Sequence, residues 1–234
     1  MVLKELVDIH SHILPGLDDG PGDLEESADI AEIAFREGIR KIICTPHASG
    51  GYDELIRSAG DGLVKLRERL REKSIPIRLE LGFEVLVCEN LLYYENLTGL
   101  SFSLGGKPHI LLEFAWEKFP DCLDEVLFLL GLDGIQPILA HPERFYYLHD
   151  NITFLKNMKS RGVKIQVNAG SITGNYGAAV KKYAKKIIKN GLVDFIATDT
   201  HSGRRRGPYL RQAGRLLEDW ISEKAASEIL NQNI

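Results

Sequence analysis

Cysteine is scarce in this chain of 234 residues, which has only Cys44, Cys88 and Cys122. They form no Cys-x-x-Cys pair and are odd in number, which excludes a disulfide framework and a zinc ribbon and leaves the thiols as buried apolar filler. A dominant charge is also missing. With 29 Lys and Arg against 33 Asp and Glu the net charge is −4, so there is no global basic field for nucleic acid. No apolar run approaches the roughly 20 residues that span a bilayer. The opening MVLKELVDIH lacks the unbroken apolar segment of a signal peptide, so the expected protein is cytoplasmic, without membrane insertion. Linkers rich in Pro, Gly or Ser, low-complexity tracts and internal repeats are absent too. Residues 1–234 therefore read as one domain, whose 44% hydrophobic content can bury a substantial core.

Two local basic clusters are present, KKYAKKIIKNG (181–191) and RRR (204–206). The lysines of the first recur around Ala184, Ile187 and Ile188, the pattern of a solvated face on an amphipathic helix. Elsewhere β-type runs alternate with helical stretches: KELVDIH, KIICTPH, RLELGFE, HILLEF, QPILAHPE, VKIQVNAG and DFIATDTH. That order implies a parallel sheet. Seven βα units in this length predict an α/β fold of the TIM type with one unit fewer than usual, and a doubly wound open sheet is the alternative. In the first helical stretch, Asp23 is the expected N-cap with Glu26 three residues on. Ile30, Ala31 and Ala34 form its apolar stripe, and Gly38 ends it.

Six of the seven runs finish on an acid or a histidine: His10 and His12, His47, Glu84, Glu113, His141, and Asp199 with His201. In a strand the side-chain period is two, so His10 and His12 share a face and could share one partner; alone, such a pair could equally be solvated at a strand end. In a parallel barrel all the C-terminal strand ends meet at one mouth. Carboxylates crowded there raise one another's pKa unless cations intervene, which points to divalent metals. Imidazole and carboxylate without thiolate suit zinc, manganese or iron, and so many donors imply more than one ion. The seventh run ends with Gln166, Asn168 and Gly170, suited to supporting the ligands. His109 starts a run, and His149 lies in a loop, so both are left outside the site.

The segments DIHSHILPGLDDGPGDLEES, TPH, GFE, LLEF, AHPERF, VNAGSITG and ATDTH, spanning residues 8–201, resemble the PHP (polymerase and histidinol phosphatase) superfamily of metal-dependent phosphoesterases. Within it, the HxH followed by LPGLDDG is most similar to the bacterial capsule and exopolysaccharide tyrosine phosphatases. The resemblance implies a distorted seven-stranded (β/α)7 TIM-like barrel of the PHP type with two to three divalent ions, manganese first and iron or zinc as alternatives. It implies that His10, His12, Glu84 and Asp199 hold one ion, Glu84, Glu113 and His141 a second, and Asp19, His47 and His201 a third. The residues alone leave Asp18 as good a candidate as Asp19, and either could belong to a plain turn. Arg144 and Arg206 fall where the family places phosphate-binding arginines, although Arg204 and Arg205 offer the same chemistry.

The expected reaction is hydrolysis of phosphotyrosine by a metal-bridging hydroxide, with Glu84, Asp199, His201, Arg144 and Arg206 as the catalytic set. The aromatic run Phe145, Tyr146 and Tyr147 offers Tyr146 as a flank for the substrate ring, unless it is ordinary rim packing. A cysteine mechanism is excluded. It needs Cys-x5-Arg, and the residues six beyond each cysteine are Gly50, Tyr94 and Phe128. The implied partner is a phosphotyrosine protein, a bacterial tyrosine kinase. Rival readings are a histidinol-phosphate-type phosphatase, a nuclease, which the charge disfavours, and a non-catalytic kinase partner, which would have broken metal sites.

Overall fold

The structure, a computed structural model, describes residues 6–94, 97, 100–149, 151–203 and 206–230. Its strands are β1 (Leu6–Ser11), β2 (Ile39–Cys44), β3 (His47–Ala48), β4 (Arg78–Leu81), β5 (Glu84–Leu86), β6 (His109–Glu113), β7 (Gln136–Leu139), β8 (Lys164–Asn168) and β9 (Phe195–Ala197). Between and after them run α1 (Leu24–Arg36), α2 (Tyr52–Glu72), α3 (Glu89–Leu92), α4 (Leu123–Leu132), α5 (Ile152–Ser160), α6 (Ala169–Thr173), α7 (Ala178–Lys189), α8 (Leu210–Trp220) and α9 (Glu223–Leu230). All strand pairings are parallel, in the orders β1-β2-β4 and β3-β5-β6-β7-β8-β9. This is a mixed α/β fold with a curled parallel sheet.

Among the described residues nine strands stand where the runs predict seven, because two runs break. The second breaks at Thr45 and Pro46, where proline has no N–H to give a ladder. The third breaks at Gly82, where a Cβ would meet Leu104 at 2.6 Å and Ile43 at 2.9 Å, a close approach that only glycine permits. Hydrogen bonds cross both breaks, from Gly82 N–H to the Cys44 carbonyl (2.9 Å) and from Glu84 N–H to the Pro46 carbonyl (3.2 Å). His47 and Glu84 are thus the first residues after a break rather than the last of a strand.

The opposite edges approach each other at β1 and β9. His12 N–H donates to the Thr200 carbonyl (2.8 Å) and Asp199 N–H to that of His10 (2.9 Å). Beneath them the buried Asp8 carboxylate accepts from the Thr198 N–H at 2.9 Å and from its hydroxyl. Burial pushes this carboxyl up to about 6 despite those bonds.

The helices cover one face of the sheet in a large apolar core, while a smaller cluster drawn almost wholly from strands (Ile9, Ile43, Leu111, Ile138, Phe195, Ala197) fills the other. Local signals act as anticipated. Asp23 accepts from Glu26 N–H at 2.9 Å to cap α1, and Gly38 follows its end at φ +97°. In α7, Val180, Tyr183, Ala184, Ile187 and Ile188 are buried, which turns the lysine cluster to the outside. Among the described residues no helix is long and apolar enough to cross a membrane.

Candidate metal centre

The strand ends bring nine ligand-type side chains to one place, with Glu84 at the middle. His10 Nε2 and His12 Nε2 lie 3.1 Å apart, and they stand 3.2 and 3.1 Å from Glu84 Oε2. Each is 3.6 Å from Asp199 Oδ1. On the other side of Glu84, His141 Nε2 is 2.8 Å from Oε1 and 3.6 Å from Glu113 Oε1. His47 Nδ1 is 3.1 Å from Glu84 and 3.3 Å from Glu113, and its Nε2 faces Asp19 at 3.5 Å, where His201 Nε2 also arrives at 2.9 Å. Among the described residues four groups could each hold an ion: His12, Asp19, His47 and His201; His10, Glu84 and His141; His10, His12 and Asp199; His47, Glu84 and Glu113.

These donors fit a divalent cation better than they fit each other. Glu84 Oε2 and His201 Nε2 are buried without an aligned hydrogen-bond partner among the described residues, although ionisable neighbours crowd around them. Buried polar atoms are normally satisfied, so lone pairs that crowd without pairing point to a shared cation, and a nitrogen and oxygen set without sulfur suits a divalent transition metal.

The supporting groups fix which nitrogen faces inward. Gln166 Oε1 accepts from His10 Nδ1 (3.0 Å), Asp18 Oδ2 from His12 Nδ1 (2.7 Å), and the Asp199 carbonyl from His201 Nδ1 (3.0 Å). Oxygen can only accept here, so each ring carries a proton on Nδ1, and with a cation bound it would turn the Nε2 lone pair to the centre. Asn168 Nδ2 donates to Asp199 Oδ2 at 2.6 Å, and Gln166 donates to Asn168 at 2.7 Å. Gly170 serves differently: a Cβ there would meet the Tyr176 ring at 2.8 Å. The choice between adjacent aspartates is also made. Asp19 faces His47 and His201, while Asp18 stands behind His12 and takes the Gly20 and His47 N–H groups as well.

Without cations, protons carry the positive charge. Burial alone would push His10 and His47 down, but Glu84 with Asp199 holds His10 at about 9, and Glu113 with Glu84 holds His47 at about 11. Glu84 itself lies well below the usual carboxylate range, because the surrounding imidazoles outweigh its burial. Burial and the neighbouring His12 push His201 down to about 3. Divalent ions would displace the imidazole protons, so uptake and proton release are coupled. Two of these ligand candidates also carry backbone strain, His141 at φ +30° and Asp199 at φ +52°, both just past a strand end.

Arginines close the mouth. Arg144 Nη1 donates to Asp199 Oδ2 at 2.6 Å, and Arg206 donates to Asp199 Oδ1 at 2.9 Å and to Asp19 Oδ2 at 3.0 Å. Arg204 and Arg205 lie outside the described residues. A cavity of about 230 Å³ is lined by both arginines, Trp116 and six of the ligand candidates, Asp19, His47, Glu84, Glu113, His141 and Asp199. His10, His12 and His201 are buried.

Tyr146 stands apart from the cavity and does not line it: its side chain is exposed and its ring faces His149 at 5.1 Å, because the turns Pro142–Arg144 and Tyr146–Leu148 send Arg144 inward and Tyr146 outward. Phe145 is core and Tyr147 stacks on it, which is the rim-packing alternative. The aromatics beside Arg144 are instead Trp116 and Tyr176, with the guanidinium carbon 4.7 and 4.4 Å from their ring centres. Trp116 was findable, since it lies three residues past Glu113; Tyr176 sits in a glycine-bordered loop with no pattern to mark it. Also unanticipated was Glu143, fully buried, which accepts from Asn168 N–H (2.9 Å) and Ser171 Oγ (2.6 Å) and so ties the Arg144 turn to β8 and α6. His149 donates to the Glu143 carbonyl at 2.8 Å and His109 opens β6, and neither belongs to any of the ligand groups. No cysteine lines the cavity.

Residues 6–234 match the family described as capsular polysaccharide synthesis, CpsB/CapC. The chain belongs to the CpsB/CapC family. It is 33% identical to the tyrosine-protein phosphatase YwqE of Bacillus subtilis, over 98% of this chain and 93% of YwqE. It is 27% identical to the tyrosine-protein phosphatase CpsB of Streptococcus pneumoniae, over 97% and 96% of the two chains. A crystal structure from the pair YwqE and CpsB, described as unique metal-dependent tyrosine phosphatases, superposes with a TM-score of 0.85 at 30% identity, covering 98% of this chain and 96% of that one. The lactonase Lmo2620 of Listeria monocytogenes, at 11% identity and a TM-score of 0.54, shares the fold alone. Membership of CpsB/CapC agrees with the PHP-type resemblance carried by the HxH and LPGLDDG segments.

Proposed function

We propose that this CpsB/CapC chain is a metal-dependent protein tyrosine phosphatase. Its substrate is a phosphotyrosine protein, a bacterial tyrosine kinase governing capsule or exopolysaccharide synthesis, and it works in the cytoplasm as one domain over residues 1–234. The observation that carries this reading is the ring of imidazoles and carboxylates around Glu84 beneath two guanidinium groups, in a chain whose relatives YwqE and CpsB are tyrosine phosphatases. We read the curled sheet as a distorted (β/α)7 barrel in which β2 with β3, and β4 with β5, each count as one interrupted strand; the bonds across the breaks and between β1 and the end of β9 support this.

His10, His12, Glu84 and Asp199 would hold one ion, Glu84, Glu113 and His141 a second, and Asp19, His47 and His201 a third, with manganese preferred. Bound there, such ions supply Lewis acidity and lower the pKa of water. The protein's own groups do the rest. Arg144 and Arg206 grip the phosphoryl oxygens with the N–H groups they do not spend on Asp199 and Asp19, and offset the charge that gathers on those oxygens in a loose transition state. His201 keeps its proton on Nδ1, so it offers a lone pair rather than an acid; a phenol is a good enough leaving group to need little acid help. The water oxygen gives up a proton to solvent and bonds to phosphorus as the bond to the tyrosine oxygen breaks, and the departing phenolate takes a proton from solvent, without a phosphoenzyme.

Turnover of a phosphotyrosine peptide by manganese-loaded protein, measured beside histidinol phosphate, tests this. The peptide is expected to have the higher kcat/KM. The reverse ranking would assign a small-molecule phosphatase, and no turnover of either would overturn the reading.

A further inference from the structure

Among the described residues Trp116 is the one apolar side chain lining the cavity, and 46% of it is exposed. An indole with nearly half its surface open keeps apolar area that the core does not cover. It is nevertheless held firmly. The Trp116 ring lies parallel to that of His141, with 3° between planes and 5.9 Å between centres. Phe145, fully buried, supports it from 5.2 Å, and the Arg144 guanidinium stands 4.7 Å from its centre. A rigid, exposed aromatic beside charged groups marks a place where a ligand is apolar at one end and anionic at the other.

From this geometry we infer that Trp116 is the specificity-determining platform for the organic part of the substrate, selecting aromatic phosphate esters over alkyl ones. The inference rests on the phosphatase reading. When Arg144 holds the phosphoryl group, whatever is attached to the ester oxygen emerges beside the indole. A phenyl ring presents a flat face there and stacks; the single methylene of a serine phosphate covers little of it. The preference for phosphotyrosine then comes from one wall of an otherwise polar mouth, and Tyr146, turned outward, has no part in it.

Two phosphonates that cannot be hydrolysed as esters isolate the effect: phenylphosphonate and methylphosphonate, titrated calorimetrically into manganese-loaded protein. Wild type is expected to bind the phenyl compound about three- to ten-fold more tightly, the range of one aromatic contact. Trp116→Ala should bring the two to parity while leaving methylphosphonate affinity within about two-fold, and Trp116→Phe should restore most of the preference. With phosphotyrosine peptide, KM should rise in Trp116→Ala more than kcat falls. Equal weakening of both phosphonates would mean that Trp116 only steadies Arg144, and an aryl preference surviving in Trp116→Ala would place the platform elsewhere; either overturns the inference. Normal phosphonate binding without turnover of any phosphate ester would refute the phosphatase reading while leaving the binding preference measured, so the two failures are distinguishable.

Discussion

Replacing Arg144 by alanine should separate phosphate recognition from metal binding. Its side chain is 16% exposed, and one Nη1–H is committed to Asp199 Oδ2 at 2.6 Å. The remaining N–H groups can meet a phosphoryl group, and charge-assisted bonds of that kind contribute about 1.5 to 4 kcal/mol to a transition state. At about 1.4 kcal/mol per factor of ten, that is a ten- to thousand-fold loss in kcat/KM. Metal content should survive, because Asp199 Oδ2 keeps its bond from Asn168 at 2.6 Å and His10, His12 and His201 keep their supporting partners. Arg144→Lys should recover little, since lysine restores the charge but not the planar fork that fits beside Trp116 and Tyr176. His141→Ala should lower activity and bound metal together. Kinetics on a phosphotyrosine peptide with elemental analysis of both variants makes the comparison. Normal kcat/KM in a folded, metal-loaded Arg144→Ala would refute the assignment and leave the phosphate to the metals and Arg206.

Exhaustive chelation and dialysis should abolish turnover, and manganese should restore it better than magnesium, which accepts imidazole poorly; equal recovery, read in the same peptide assay, would contradict the donor set proposed from His10, His12, His47, His141 and His201. Asp18→Ala should weaken metal affinity about ten- to a hundred-fold in competition titrations, because His12 Nδ1 loses the carboxylate that orients it; unchanged affinity would remove that role. A triple variant with serine at Cys44, Cys88 and Cys122 should keep its kcat while melting earlier, since Cys44 and Cys122 are buried; selective loss of kcat in a folded, metal-loaded variant would revive a thiol mechanism.

Regular elements were the most readable part of this chain. Alternating β and helical runs implied the parallel sheet, the Asp23 cap began α1, and the apolar stripe of α7 sent its lysines outward. The breaks at Pro46 and Gly82 were harder to see. Proline is visible in a sequence, but the close contacts of Leu104 and Ile43 with Gly82 come from chain segments far away, and no local pattern encodes them.

For the metal centre, the sequence by itself determined the residue types and the faces on which the strand-borne donors stand. A strand's side-chain period of two puts His10 and His12 together whatever surrounds them, and parallel strands must end at one mouth. Tertiary structure decided what periodicity cannot reach. Asp19 and not Asp18 turns to His47 and His201, and Trp116 and not Tyr146 stands beside Arg144. These residues sit in loops and short turns, where the direction of a side chain depends on what the turn packs against. Buried Glu143, bonded to Asn168 and Ser171, fixes the turn that aims Arg144 inward, and that contact forms only when β7 and β8 lie side by side.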